Sequence, residues 1–390
     1  MLWTVCALAF LGVVAIPSAL LSHRKLRQAK RAEALRIEGA RGIVEERFVR
    51  IGGIDQWIGI RGEDTDNPVL LILHGGPGSS YSIFTPHLRS WEKQFTIVQW
   101  DQCGTGRTFS RLGPRHNGEV SFEQLTSDAI EVAGYVRGRL GKDRIFLLAS
   151  SIGSTFGMRV ALRRPELFYA YIGTDQNVGM QRERDEEFSA VQERLRLLGL
   201  RKGVKALDRI GPDPTRWSPE DYNANAKWTM MSDPEGFRRT MKLLKDAVWY
   251  APGSTLKDIR AFVAGMHFST AKLLPEIAQF DAWKQGTDFE IPFFIFQGED
   301  DVLTTPKLAE MFFKDVVAPI KRMALIRDAG HFAAFLQPEE FLRELLVDVR
   351  PLAETPNLSK IDSKGITAPD SAELSPDGAG RLAQLSVGRR

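Results

Sequence analysis

Cysteine is nearly absent from this sequence. Its 390 residues include only Cys6 and Cys103. Cys6 lies in an apolar segment, so no disulfide framework is on offer. Neither cysteine belongs to a CxxC or Cys/His cluster, which argues against a structural zinc site. An excess of one charge sign is also missing. The net charge is +3, and part of that excess sits in one short basic segment, so there is no general basic face for nucleic acid. No GxxxxGK[ST] run is present to cradle a nucleotide phosphate. No internal repeat is found, and neither a cofactor nor a metal is implied. Histidine is scarce, with six in the chain, which restricts where a general base can stand.

Long charge-free runs are scarce too, with one exception. Residues 1–21 carry no charged side chain, and about 20 apolar residues suffice to cross a bilayer. Arg24, Lys25, Arg27, Lys30, Arg31 and Arg36 follow, against the single acid Glu33. This order predicts a transmembrane anchor over 1–21 and a basic juxtamembrane linker helix over 22–41. Basic residues beside a span stay cytoplasmic, which predicts the N-terminus outside and the bulk of the chain inside. The alternative, secretion after cleavage of a signal peptide, would need a basic n-region that the sequence lacks.

What remains is ordinary globular composition, 43% hydrophobic and 26% charged, enough for one large domain with an insertion. Ile43 to Ile51 and Ile54 to Ile60 flank Gly52-Gly53 as a hairpin. Val69 to Leu73 and Phe95 to Trp100 are short apolar runs, the mark of strands buried on both faces, and Ile145 to Leu148, Tyr169 to Gly173, Pro292 to Phe296 and Arg322 to Ile326 are further strands. Helical spacing alternates with them, as at 122–140. The fold class is therefore α/β, with a mostly parallel sheet flanked by helices. The core occupies 42–175 and 289–352. Between them, 176–288 is charged and helical and reads as a cap. From 353 to 390 the composition turns polar and predicts a disordered tail.

Chemistry concentrates at strand ends, where open parallel sheets gather their functional loops. Ala149-Ser150-Ser151-Ile152-Gly153 reads as a strand–turn–helix elbow with Ser151 at its centre. Ser150 is the rival nucleophile, but its frame puts Ile152 where a small residue is needed. His331 alone among the histidines follows the last strand. Asp301 is favoured as the acid over Asp300 and Glu299. The order nucleophile, acid, histidine with such an elbow is that of α/β-hydrolases. His331 would take the Ser151 proton, and Asp301 would hold the imidazole tautomer. The His74-Gly75-Gly76-Pro77-Gly78 loop would supply an oxyanion hole from the N–H groups of Gly76 and Ile152. A serine at the elbow centre excludes the aspartate-nucleophile chemistry of the same fold. The competing class is a catalytically silent binding protein.

HGGPGSS at 74–80, WDQCGTGRT at 100–108, ASSIGSTFG at 149–157, GEDDVLTTP at 298–306 and AGHFAAF at 329–335 together resemble the prolyl aminopeptidase (proline iminopeptidase) family. The resemblance runs over about residues 45 to 350 and is weakest in the cap. It implies an α/β-hydrolase core with a helical cap, a triad of Ser151, Asp301 and His331, an oxyanion loop containing Gly76, and a small-molecule or short-peptide substrate. Three positions depart from the family pattern. Ala149 replaces the elbow's first glycine, and Cys103 replaces an arginine. Lys227-Trp228-Thr229-Met230 stands where the family has Trp-x-x-Trp-Glu, whose acids help bind a free amine. The acids Asp175, Glu183, Asp185, Glu186, Glu187, Glu220 and Asp221 read as surface charges rather than as a substitute clamp.

Overall fold

The computed structural model describes residues 16–354 apart from 181. The expected span lies outside the described residues up to position 15, as does the tail from position 355. Among the described residues no helix is long and apolar enough to cross a membrane.

The first helix, α1 (Ile16–Ala34), leads to a hairpin of β1 (Ile43–Ile51) and β2 (Ile54–Gly62). The core continues through β3 (Val69–Leu73), β4 (Thr96–Asp101), α2 (Gly106–Leu112), α3 (Phe122–Leu140), β5 (Ile145–Ser150), α4 (Ile152–Arg163) and β6 (Phe168–Thr174). A helical stretch follows: α5 (Arg184–Leu197), α6 (Arg201–Ile210), α7 (Pro219–Met231), α8 (Pro234–Trp249), α9 (Leu256–Ile277) and α10 (Ala282–Gln285). The chain then re-enters the sheet with β7 (Phe293–Gly298), α11 (Pro306–Asp315) and β8 (Lys321–Ile326), and closes with α12 (Ala333–Leu336) and α13 (Pro338–Glu344).

The eight strands lie in the order β1-β2-β4-β3-β5-β6-β7-β8. The β1–β2 and β2–β4 pairs are antiparallel, and the rest are parallel. Successive strand side chains point to opposite faces, and here the alternation divides the core in two. Leu71, Leu73, Leu147, Tyr171, Phe293 and Ile295 pack with Val132, Val136 and Phe156 on one face. Leu70, Ile72, Phe146, Leu148, Ile172, Phe294 and Phe296 pack with Trp91, Phe84 and Phe341 on the other. Both faces are sealed, which explains why these strands read as unbroken apolar runs. Each such side chain contributes about 1.5–3 kcal/mol by burial. Ser121 caps α3 by accepting from the Gln124 N–H, and Gly141 ends it in the left-handed conformation, so the helix stops where its spacing ends.

The basic segment is built into the fold. Arg24 is buried, with its guanidinium donating to the carbonyls of Trp249 and Ser254 at 2.8 Å each and stacked 5.2 Å from the Trp249 ring. Gln28 donates to Ala251 O at 2.8 Å and Arg31 to Asp246 O at 2.7 Å. The last carbonyls of a helix lack intrahelical partners and carry partial negative charge. The arginines of α1 satisfy that need for α8, and charge patterning alone could not reveal it.

This clasp predicts that Arg24→Ala lowers unfolding free energy by about 2 kcal/mol, because a buried charged donor and its acceptors are lost together. Arg24→Lys should recover only part, since an ammonium cannot reproduce the fork. Urea unfolding followed by tryptophan fluorescence measures both, and an unchanged midpoint in Arg24→Ala would refute the clasp.

Candidate active site

The elbow forms where β5 meets α4. Ser151 lies between them at φ 54°, ψ −126°, a conformation that strains a residue with a Cβ. Its N–H donates to Thr174 O at 3.1 Å, and the Ser154 hydroxyl donates to its carbonyl at 2.6 Å. Gly75 lies directly against it: a Cβ there would come within 2.6 Å of Ser151 Cβ and 2.8 Å of Ser150 O. The alanine at position 149 is accommodated from across the helix, because its methyl occupies the space in front of Gly157. Ser150, the rival, is committed elsewhere. Its hydroxyl donates to Asp175 Oδ2 and accepts from the Tyr81 hydroxyl, both at 2.8 Å.

Loops from three strand ends converge on the Ser151 hydroxyl. His331, in the loop after β8, places Nε2 3.1 Å from Ser151 Oγ. Its Nδ1 lies 2.9 Å from Asp301 Oδ2, in the loop after β7. Asp301 is fully enclosed by donors. The Leu303 and Thr304 N–H groups donate to Oδ1 at 2.8 and 3.1 Å, while the Thr304 hydroxyl and the Gln297 amide donate to Oδ2 at 2.7 and 3.1 Å. Burial alone would raise the Asp301 pKa, but the His331 charge and these donated bonds hold it below the ordinary carboxylate value. Burial would likewise lower His331, yet the carboxylates of Asp301 and Asp175 outweigh it and push the imidazole up to about 9. The competing acids are occupied elsewhere: Asp300 lies 3.6 Å from Arg239, and Glu299 accepts from the Asp328 N–H at 2.7 Å. An imidazole so placed can accept the Ser151 hydroxyl proton through Nε2 while Asp301 fixes its tautomer.

The glycine loop after β3 lies beside this chain of groups. His74 is buried, and burial lowers it to about 4, so it is neutral and serves as a brace. Its Nδ1 bonds Gly75 O at 3.0 Å, and the Gln102 amide donates to its carbonyl at 3.1 Å. Among the described residues, the N–H groups of Gly76 and Ile152 have no protein acceptor, as donors awaiting a substrate oxygen would. Asp175, Asp301 and His331 lie close enough to share a metal ion, with ligand atoms within 4.8 Å of one another. Their atoms are spent on hydrogen bonds instead: both imidazole nitrogens are engaged, and Asp301 accepts bonds at both oxygens.

Asp175 corrects the sequence reading. It is not a surface charge. It is fully buried at the carboxyl end of β6, and it accepts from the N–H groups of Phe332 and Ala333 at 3.0 and 3.3 Å. The signal was available, since Asp175 follows a parallel strand as Ser151, Asp301 and His331 do. Other acids of the helical stretch also have local partners. Glu187 accepts from the Thr305 hydroxyl at 2.6 Å, Glu183 pairs with Lys307, and Asp221 closes the capping box of α7 with Ser218. Cys103 is buried, its thiol donates to Glu119 O at 3.5 Å, and burial pushes its pKa up. It is an unreactive core group. A separate cavity of about 920 Å³ lies between α1, β1, α2 and the α8–α9 loop, with Ser80, Asp101 and Arg107 in its wall and no member of the Ser151–His331–Asp301 chain.

The model of the alpha/beta hydrolase fold family matches residues 68–338. A probable aminopeptidase of Bacillus subtilis is 28% identical over 76% of this chain and 93% of its own length. A proline iminopeptidase of Lactobacillus delbrueckii subsp. bulgaricus is 25% identical over 78% of this chain and 97% of its own. Among solved structures, a bacterial membrane phospholipase A superposes with a TM-score of 0.54 at 14% identity, over 91% of this chain and 97% of its own. That last likeness is one of fold.

The contact between Gly75 and the elbow yields a prediction. Gly75→Ala should displace Ser151 rather than merely crowd it, costing roughly 1–3 kcal/mol of stability as overpacking does. Thermal unfolding reads the loss. A variant as stable as the parent would show that the elbow is not wedged against this loop.

Proposed function

Because the chain belongs to the alpha/beta hydrolase fold family, we propose that it is a membrane-anchored serine hydrolase that cleaves a small ester, amide or N-terminal peptide bond through an acyl-enzyme. The observation that carries this reading is the continuous chain Ser151 Oγ–His331 Nε2 at 3.1 Å and His331 Nδ1–Asp301 Oδ2 at 2.9 Å. Ser151 attacks the carbonyl carbon as His331 accepts its proton. The N–H groups of Gly76 and Ile152 take the developing oxyanion. The imidazolium then protonates the leaving group. Water, deprotonated by His331 in turn, attacks the acyl-enzyme and releases the acid. Asp301 stabilises the imidazolium throughout.

The relatives' names favour an aminopeptidase. The local pairing of Glu183, Glu187 and Asp221 favours an ester or amide without a free amine, because those acids are not free to meet an ammonium group. The anchor is the charge-free run over 1–21, and the basic flank places the catalytic domain in the cytoplasm.

A fluorophosphonate probe should label the wild-type chain and fail to label Ser151→Ala. An unlabelled wild type would overturn the hydrolase in favour of a silent binder. On short-chain aryl esters, kcat/KM should rise with pH and level off above about 9, because His331 must be neutral to act as base. Asp301→Asn should lose about 10⁴-fold in kcat. Comparison with proline arylamides assigns the bond type, and no turnover of the arylamides removes the peptidase.

A further inference from the structure

We propose that Asp175 is a second carboxylate for His331: it fixes the histidine loop through the Phe332 and Ala333 N–H groups and faces the imidazole from the side of β6, while Asp301 holds it from β7. Asp175 is thus a positioning residue, and its role at this site rests on the serine-hydrolase reading. Four observations converge on it. First, the carboxylate is fully buried, and burial pushes its pKa up against the opposing pull of the His331 charge and its donors, so its ionised form depends on those partners. Second, every partner found belongs to the site. Oδ1 accepts from the two N–H groups that immediately follow His331, at 3.0 and 3.3 Å. Oδ2 accepts from the hydroxyl of Ser150, the residue before the elbow serine, at 2.8 Å. Since Ser150 spends its proton on Asp175, the Tyr81 hydroxyl 2.8 Å away must donate to Ser150. The result is a directed chain Tyr81–Ser150–Asp175–Phe332 behind the reacting atoms.

Third, Asp175 lies at φ 48°, in the left-handed region that a non-glycine residue occupies at a cost. Strain of that kind persists where the surrounding structure over-determines it, often at functional sites. Phe332 is left-handed as well, at φ 73°. Both ends of this contact are therefore bent to bring carboxylate and N–H groups together. Fourth, Asp175, Asp301 and His331 present their polar atoms within 4.8 Å of one another, close enough for each carboxylate to act on the imidazole charge.

The groups facing His331 can be named from each element. Asp301 and the Thr304 hydroxyl approach Nδ1 from the loop after β7, the latter at 3.4 Å. Ser151 approaches Nε2 from the elbow. Asp175 stands at the end of β6, and the phenol of Tyr81 lies behind it, kept neutral by burial. Further out, Asp300 is met by Arg239. The two enclosed carboxylates are then the groups that favour imidazolium, and His331 should remain a stronger base than either acid alone would make it.

The test is a ¹H–¹³C NMR titration of the full chain carrying ¹³C-labelled histidine, with His331→Gln assigning the His331 signal. In Asp175→Asn, which keeps the shape and tolerates the left-handed backbone, the His331 midpoint should fall by about one unit. Asp175→Gly, which also relieves the strain, should show the same fall. In Asp301→Asn, with Asp175 untouched, the midpoint should fall below the ordinary histidine value of about 6.5, because burial outweighs the one carboxylate left, and adding Asp175→Asn should lower it again. The rising limb of kcat/KM on an aryl ester should move to lower pH in step with the NMR midpoint in both Asp175 variants. A midpoint unmoved in folded Asp175→Asn or Asp175→Gly overturns the proposal. So does a midpoint in the Asp175→Asn, Asp301→Asn double variant no lower than in Asp301→Asn alone. A wild type that titrates as stated but takes no fluorophosphonate label and turns over neither ester nor arylamide sinks the hydrolase and leaves the second carboxylate standing.

Discussion

One backbone conformation organises this protein. Ser151 is held at φ 54°, ψ −126°, where its hydroxyl leaves the sheet and its N–H turns back to Thr174 O. Left alone, that geometry would relax, because the Cβ disfavours it. It persists because β5 is locked between β3 and β6, because Gly75 presses against it, and because α4 begins at the next residue. The parallel sheet serves mainly to hold this turn rigid and to bring other strand ends to within reach of it.

Around that hydroxyl the structure gathers charge in a largely buried place. Asp175, Asp301 and His331 are all buried, and low dielectric makes both pairing and failure to pair expensive. Each carboxylate is therefore surrounded by donors before it meets the imidazole. Asp301 has two N–H groups, a hydroxyl and an amide, while Asp175 has two N–H groups and a hydroxyl. Preorganised donors of this kind do not have to reorient when charge appears on the imidazole.

The parts legible in the sequence were those set by short-range rules. Val69–Leu73 and Phe293–Phe296 announce buried strands because both faces of a parallel sheet are covered. The glycines and small residues of the two loops announce close backbone approach. His331 could be selected because chain order and strand ends leave no rival. Asp175 escaped because acids are surface residues by default, and burial is a tertiary fact. Its position after β6 carried the same strand-end signal as Asp301, but the change from sheet to helices right after it drew it into the wrong group. The fate of Arg24 was equally hidden. A basic side chain that ends on the last carbonyl of a helix more than 200 residues away leaves no trace in local pattern.

That arginine clasp reaches beyond stability. α1 begins inside the charge-free N-terminal run, at Ile16, and it grips the carbonyls of Asp246, Trp249, Ala251 and Ser254. These belong to α8 and the turn after it, within the helices inserted between β6 and β7. A shortened chain beginning at the hairpin of β1 would keep every residue of the Ser151–His331–Asp301 chain, yet take the Arg24 and Arg31 donors from the end of α8. The sensible boundary for a trimmed version is thus at the start of α1, and the segment that looks dispensable in a linear diagram is a structural brace of the insertion.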